Sequence, residues 1–192
     1  MNTPLKLKII TSTTRPGRKG EPIATWALET LKANPVFDVE LLDLAAINLP
    51  FMDEAAHPRL KDYKHAHTKA WSAKIDEADA FVIVLGEYNY GFPAPIKNAI
   101  DFLFHEWAYK PVGFVSYGGL SGGTRSLQMI KGVVTSLKMV PLTEAVNIPF
   151  FTKYFDDQEN FKGDDALVKA TQVMLGELER WAKALKPMRQ PA

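Results

Sequence analysis

AFVIVLGEYNYGFPAPIKNAIDFL, residues 80–103, compresses a strand, a loop and a helix into one stretch. Ala80–Leu85 is an unbroken apolar run of strand length, as in parallel strands buried on both faces. Gly86–Pro93 interrupts it with glycine, proline and aromatic residues. Pro93-Ala94-Pro95 then suits a first helical turn, where proline is tolerated, and Ile96, Ile100, Leu103 and Trp107 continue at helical spacing. Working outward, similar runs occur at Leu5–Ile10, Val36–Leu42, Val112–Ser116 and Met139–Val146. Helical stripes fall between them at Ile23, Ala27 and Leu31, and at Leu127, Ile130, Val134 and Leu137. A last stripe of Leu167, Ala170, Met174, Leu178, Trp181 and Leu185 predicts a helix from Asp164 to about Leu185 that covers the sheet. Strands alternating with helices, joined by right-handed crossovers, predict an α/β doubly wound five-stranded parallel sheet, order 2-1-3-4-5, with helices on both faces.

The chain has 192 residues, 46% of them hydrophobic, which suits one domain spanning residues 1–192. Lys and Arg number 23 against 22 Asp and Glu, so no global field draws it to nucleic acid or an anionic membrane. The absence of cysteine excludes disulfides, thiolate metal sites and cysteine nucleophiles. No signal-peptide pattern and no run of membrane-spanning length is present, so a cytoplasmic protein is expected. The long Asp43–His65 segment separates the second strand from a helix near Thr68–Glu77, and a loop of that length points to a function or an interface. His57, His65 and His67 lie close in sequence, but a spacing of two on a helix turns the last two rings to different faces, so no metal site is expected.

In such a sheet, ligands bind outside the carboxyl ends of the strands where the order reverses. Three loops converge there. Thr11–Gly20 (TSTTRPGRKG) offers hydroxyls, arginines and glycines directly before a helix, a combination that suits a phosphate; it lacks the GxGxxG and Walker patterns, so a monophosphate fits best. Gly86–Pro93 offers flat aromatic faces and the Asn89 amide to a heterocycle. Ser116–Arg125 carries four glycines, which admit close approach to a planar ring. Each loop alone also reads as an ordinary turn, Tyr88, Tyr90 and Phe92 as core or interface residues, and Glu87 as a structural carboxylate.

These residues resemble the NAD(P)H-dependent FMN reductases, a flavodoxin-like family that includes flavin, quinone, azo-dye and chromate reductases. GEYNYGFPAPIKNAIDFL (Gly86–Leu103) is similar to the family's PEYN signature and following helix, and KPVGFVSYGGLSGGTRS (Lys110–Ser126) to its next strand and glycine loop. TSTTRPGRKG is similar to its GSxR loop, and LPFMDE (Leu49–Glu54) to its LPFxDE segment. The chain departs from the pattern at Thr11, which stands for glycine, at Gly86, which stands for proline, in one extra residue between Ser12 and Arg15, and at Arg18, where shorter members carry serine.

The resemblance implies FMN, its phosphate held by Ser12, Thr14, Arg15 and Arg18. It implies the ring edge lying against Glu87, Tyr88, Asn89 and Tyr90, with Ser116, Tyr117, Gly118 and Gly119 beneath. NADPH or NADH is then the electron donor and a small molecule such as a flavin, quinone, azo compound or metal oxyanion the acceptor. The two would share one site in turn, and no acid–base residue is indispensable because the flavin carries the chemistry. Two other classes share the fold: an electron carrier of the flavodoxin type, separated by NAD(P)H oxidation with FMN or a quinone as sole acceptor, and a non-flavin binding protein, separated by flavin absorbance. A homodimer or homotetramer is expected, through the helix after GEYNYG and the Asp43–His65 loop, because Phe102, Phe104, Trp107 and Tyr109 are hard to bury in one five-stranded layer.

Overall fold

The computed structural model describes residues 3–189. Its strands are β1 (Leu5–Thr11), β2 (Phe37–Asp43), β3 (Ala80–Gly86), β4 (Pro111–Tyr117) and β5 (Val140–Ile148), and its helices are α1 (Gly20–Lys32), α2 (Leu44–Ile47), α3 (Ala66–Asp76), α4 (Ala94–Asp101), α5 (Thr124–Ser136) and α6 (Asp165–Leu185). The sheet is parallel, in the order β2-β1-β3-β4-β5. β3 and β4 are buried along their whole length, whereas β5, at the edge, alternates between buried and exposed. Edge position also explains how β5 accommodates Pro141, which has no N–H to donate, and a register shift opposite Val112–Phe114.

Period-two alternation sends the side chains of each strand to opposite faces. Leu7 and Ile9 join Val82 and Val84 under α1 and α6, whereas Ile10 joins Phe81 and Ile83 under α3, α4 and α5. α6 packs closely because Gly113 leaves room: a Cβ there would lie 2.6 Å from Met174 Sδ. The buried stripe of α6 differs from the expected one. Ala182 is fully buried while Trp181 is 41% exposed, and Thr171 sits inside the stripe with its hydroxyl donating to Leu167 O at 2.8 Å.

α4 ends at Asp101 and does not run on to Trp107; a 3-10 turn at His105–Trp107 follows. This turn overturns the argument that the aromatic residues are hard to bury. Phe102 and Trp107 are fully enclosed within the chain, Trp107 against Trp71 and Phe81, and on the sheet face opposite α6. The apolar side chains left outside include Phe51 at 84% exposure, Leu120 and Tyr90.

The long segment between α2 and α3 is pinned at several points. Glu106, fully buried, accepts from Tyr63 Oη at 3.0 Å and Ser72 Oγ at 2.7 Å. The Asn98 amide bridges Pro50 O and Met52 N–H at 2.7 and 3.0 Å. The histidine geometry also differs from expectation. His65 is the extended N-cap of α3 and not part of it, so its ring stacks parallel on His67 at 5.2 Å, with Asp53 3.0 Å from His67 Nε2. No group of three or more His, Cys, Asp or Glu among the described residues is arranged to hold a metal ion.

Candidate functional site

The three loops emerge from β1, β3 and β4, neighbours in the sheet, at one edge. In the first, Ser12 is buried and its Oγ accepts from Gly86 N–H at 3.1 Å, tying the β1 loop to the end of β3. Thr13 is buried as well, its Oγ1 3.4 Å from Tyr117 Oη. Enclosure pushes the Tyr117 phenol up to about 12, so it stays protonated. Thr14 and Arg15 are exposed, and Arg15 has no ion pair among the described residues; its guanidinium lies 5.9 Å from the centre of the Tyr88 ring.

Arg18 points elsewhere. Its guanidinium binds both oxygens of Asp43 at 2.6 and 2.7 Å, and it also reaches Thr13 O at 2.9 Å and Glu21 at 3.0 Å. Asp43 additionally accepts from Thr11 Oγ1 and caps α2 through Ala45 N–H. The Arg18 hydrogen bonds, followed against the cost of burial by those from Thr11 and Ala45, hold the Asp43 carboxyl down at about 2. Arg18 thus braces the loop from behind, and Ser12 joins two loops, whereas Thr14 and Arg15 face outward.

The second loop is a tight turn in which Tyr88 and Gly91 exchange backbone hydrogen bonds, both 2.9 Å, with Asn89 and Tyr90 at φ +49° and +70°. Two left-handed residues in succession define the hairpin type in which Asn and Gly are preferred. Tyr90 therefore stands in a conformation that costs a bulky residue about 1–2 kcal/mol. It is 67% exposed and carries the Arg125 guanidinium 3.8 Å above its ring.

Glu87 turns away from this surface into the third loop. Its carboxylate, 7% exposed, accepts from Ser121 Oγ at 2.8 Å and from Arg125 N–H at 3.2 Å and Nε at 2.7 Å. Burial opposes its ionisation, but hydrogen bonds from Ser121 and the Ser126 backbone and the Arg125 charge outweigh that and keep its pKa below the usual value. Ser116 Oγ, fully buried, lies 2.8 Å from both Gly122 O and Asn147 Oδ1. Gly123, at φ +80°, is needed for contact: a Cβ there would lie 2.8 Å from Tyr117 N. Gly118 is buried against it, whereas Gly119 opens onto free space.

The structure thus gathers the expected residues at one edge but separates them by role. Thr14, Arg15, Tyr88, Asn89, Tyr90 and Gly119 present surface, while Ser12, Arg18, Glu87, Ser116, Tyr117 and Gly118 hold the loops together. Beside Thr14 a cleft of about 460 Å³ opens between α2 and α4, bordered by Asn48, Leu49, Phe51, Pro95 and Asn98. In the sequence Leu49–Phe51 carries two signals, the LPFMDE motif and its place in the long Asp43–His65 loop. Arg125 and Asp43 give no local signal, since their partners lie 38 and 25 residues away in sequence.

The donors suit an anion attached to a flat ring. Two long helices begin at this edge. A first-turn N–H of α5 is already taken by Glu87, whereas the N-cap of α1, Lys19, turns its side chain to Glu159 at 2.7 Å and leaves the helix without a side-chain cap. The N–H groups of Thr14, Arg15 and Gly17 have no partner among the described residues. A positive helix end with free N–H groups beside an arginine without an ion pair is chemistry that suits a phosphate.

The sequence matches the NADPH-dependent FMN reductase family over residues 5–153. An NAD(P)H-dependent FMN reductase of Schizosaccharomyces pombe is 43% identical over 148 residues, 75% of this chain and 74% of that protein. One from a Nectria species is 32% identical, covering 94% of this chain and 89% of its own length. Among solved structures, FerB, a flavoenzyme NAD(P)H:(acceptor) oxidoreductase of Paracoccus denitrificans, superposes with a TM-score of 0.75 over 94% of this chain and 98% of its own, at 18% identity. That likeness shows the fold. On the family match and the two relatives, the chain is an oxidoreductase and belongs to the NADPH-dependent FMN reductase family.

Proposed function

We propose that the chain binds FMN at this edge and uses NAD(P)H to reduce a small acceptor such as a flavin, quinone, azo compound or metal oxyanion. The observation that carries the reading is the contrast between the two helix N-termini: a first-turn N–H of α5 is taken by Glu87, whereas no side chain caps α1, whose first-turn Glu21 is held by Arg18, and Arg15 lies beside it. Thr14, Arg15 and the free N–H groups of the first loop would hold the phosphate. Tyr88, Asn89 and Tyr90 would bound the ring on one side, and the backbone at Gly118–Gly119 would floor it. Bound there, FMN supplies hydride acceptance and donation, which no side chain of this chain can perform.

The chain's own part is to bind, orient and exclude. Arg18 and Asp43 keep the first loop in shape before the phosphate arrives. The protonated Tyr117 phenol fills the space under that loop without adding negative charge. For a quinone the overall change is NAD(P)H plus a proton plus quinone giving NAD(P)+ and hydroquinone. With little room over one ring face, donor and acceptor would occupy the crevice in succession. A homo-oligomer would cover Phe51, Met52 and Leu60, exposed apolar residues of the Asp43–His65 loop.

The test is NAD(P)H oxidation by purified protein with FMN or a simple quinone as sole acceptor, alongside titration with FMN and riboflavin. Turnover with tighter binding of FMN than of riboflavin supports the reading. Equal affinity for both flavins would overturn the phosphate cradle.

A further inference from the structure

Glu87 lies in the segment expected to touch the ring, yet its carboxylate is fully engaged inside the protein. A carboxylate has about four acceptor sites. Oε2 takes Ser121 Oγ and Arg125 N–H, and Oε1 takes Arg125 Nε and, at 2.7 Å, a terminal guanidinium nitrogen. Nothing remains for a ligand. Arg125, so clamped, sits 3.8 Å from the centre of the Tyr90 ring, three residues beyond Glu87 in a turn whose two central residues are both left-handed. The clamp closes a circuit from β3 through Glu87 to α5 and back through Tyr90.

We propose that Glu87 is a positioning residue: through Arg125 and Ser121 it locks the tyrosine turn at 88–91 and the glycine loop at 118–123 into one rigid surface. The cation on Tyr90 offsets the conformational cost that this bulky residue carries in the left-handed region, and Glu87 holds the cation there. The role of that surface in holding a flavin rests on the reading above, but the clamp exists without it.

The experiment follows the flavin-free protein first. Glu87→Gln keeps the shape but places an amide N–H₂ against donors. Backbone hydrogen exchange at Tyr88 and Gly91, whose N–H groups close the turn, should accelerate about tenfold or more relative to the wild type. In flavin titrations, Glu87→Gln should weaken FMN and riboflavin by the same factor, about tenfold, and alter the circular dichroism of the bound flavin bands. Arg125→Met should do the same, and the double variant should be no worse than either single one, because both remove one interaction.

Unchanged exchange at Tyr88 and Gly91 would overturn the proposal. So would additive losses in the double variant, which would mean that Glu87 touches the ligand itself. If Glu87→Gln does not fold, Ser121→Ala and Arg125→Met carry the same exchange test. If the wild type binds no flavin, the FMN reading fails, while the exchange measurement still decides whether the clamp exists.

Discussion

Replacing Asp43 with asparagine removes the anion that braces the first loop. The Arg18 side chain is 11% exposed and that of Asp43 23%, so the pair is largely shielded. The Asp43 carboxyl is held at about 2 against an ordinary 3.8. At about 1.4 kcal/mol per unit this corresponds to roughly 2 kcal/mol of stability at neutral pH. Because the folded-state pKa is the lower one, that contribution is complete above about pH 4 and is lost as the pH falls towards 2. Asp43→Asn should therefore lower the melting temperature at pH 7 by about 4–8 °C and flatten the acid limb of stability between pH 4 and 2. Urea unfolding of wild type, Asp43→Asn, Arg18→Gln and the double variant measures both effects. The double variant should lose little more than either single one, since either change breaks the same pair. A wild-type stability that does not change between pH 4 and 2, or fully additive losses, would refute the reasoning.

Arg15→Ala should weaken FMN binding by about ten- to a hundredfold through loss of a charge-assisted contact and leave riboflavin affinity as it was, read by flavin fluorescence titration. Gly113→Ala forces a Cβ against Met174 under α6, far from the loops; calorimetry should show a loss of about 1–3 kcal/mol with flavin affinity unchanged. Steady-state kinetics with acceptor varied at several NAD(P)H concentrations should give parallel double-reciprocal lines. Light scattering during size exclusion should return a dimeric or tetrameric mass at micromolar concentration, and a fully active monomer would count against any shared site.

β3 was legible because burial on both faces leaves an uninterrupted apolar run, and β2 and β5, nearer solvent, kept enough apolar positions to be seen; each observed strand lies within about two residues of its expected ends. The end of α4 was not, because Leu103 and Trp107 keep the helical spacing even though the chain switches to a 3-10 turn between them. Thr171 and Ala182 hid the true stripe of α6: one is polar and internally bonded, the other small, while the conspicuous Trp181 lies at the rim. The four-residue α2 is too short for any periodicity to show. At the site, the three loops could be placed by topology, but the direction of a side chain could not. Arg15 and Arg18 look alike in TSTTRPGRKG, and only the fold brings Asp43 to one of them. Glu87 reads as a ring contact from the family resemblance and as a structural carboxylate from its residue type, and Ser121 and Arg125, which enclose it, fit the second reading.

The hydrogen bonds on buried Glu106 bear on the shape of the neighbouring cleft. Lifting the 48–65 segment away from α3 would pull Tyr63 from a carboxylate that stays buried and ionised, leaving it short of a donor. Losing a hydrogen bond to a buried charged group costs about 1–3 kcal/mol, so the pinned state outnumbers the lifted one by roughly five- to a hundredfold. The rim that Leu49 and Phe51 give the cleft between α2 and α4 is therefore held in one arrangement for most of the time, by a carboxylate on the far side of the same segment.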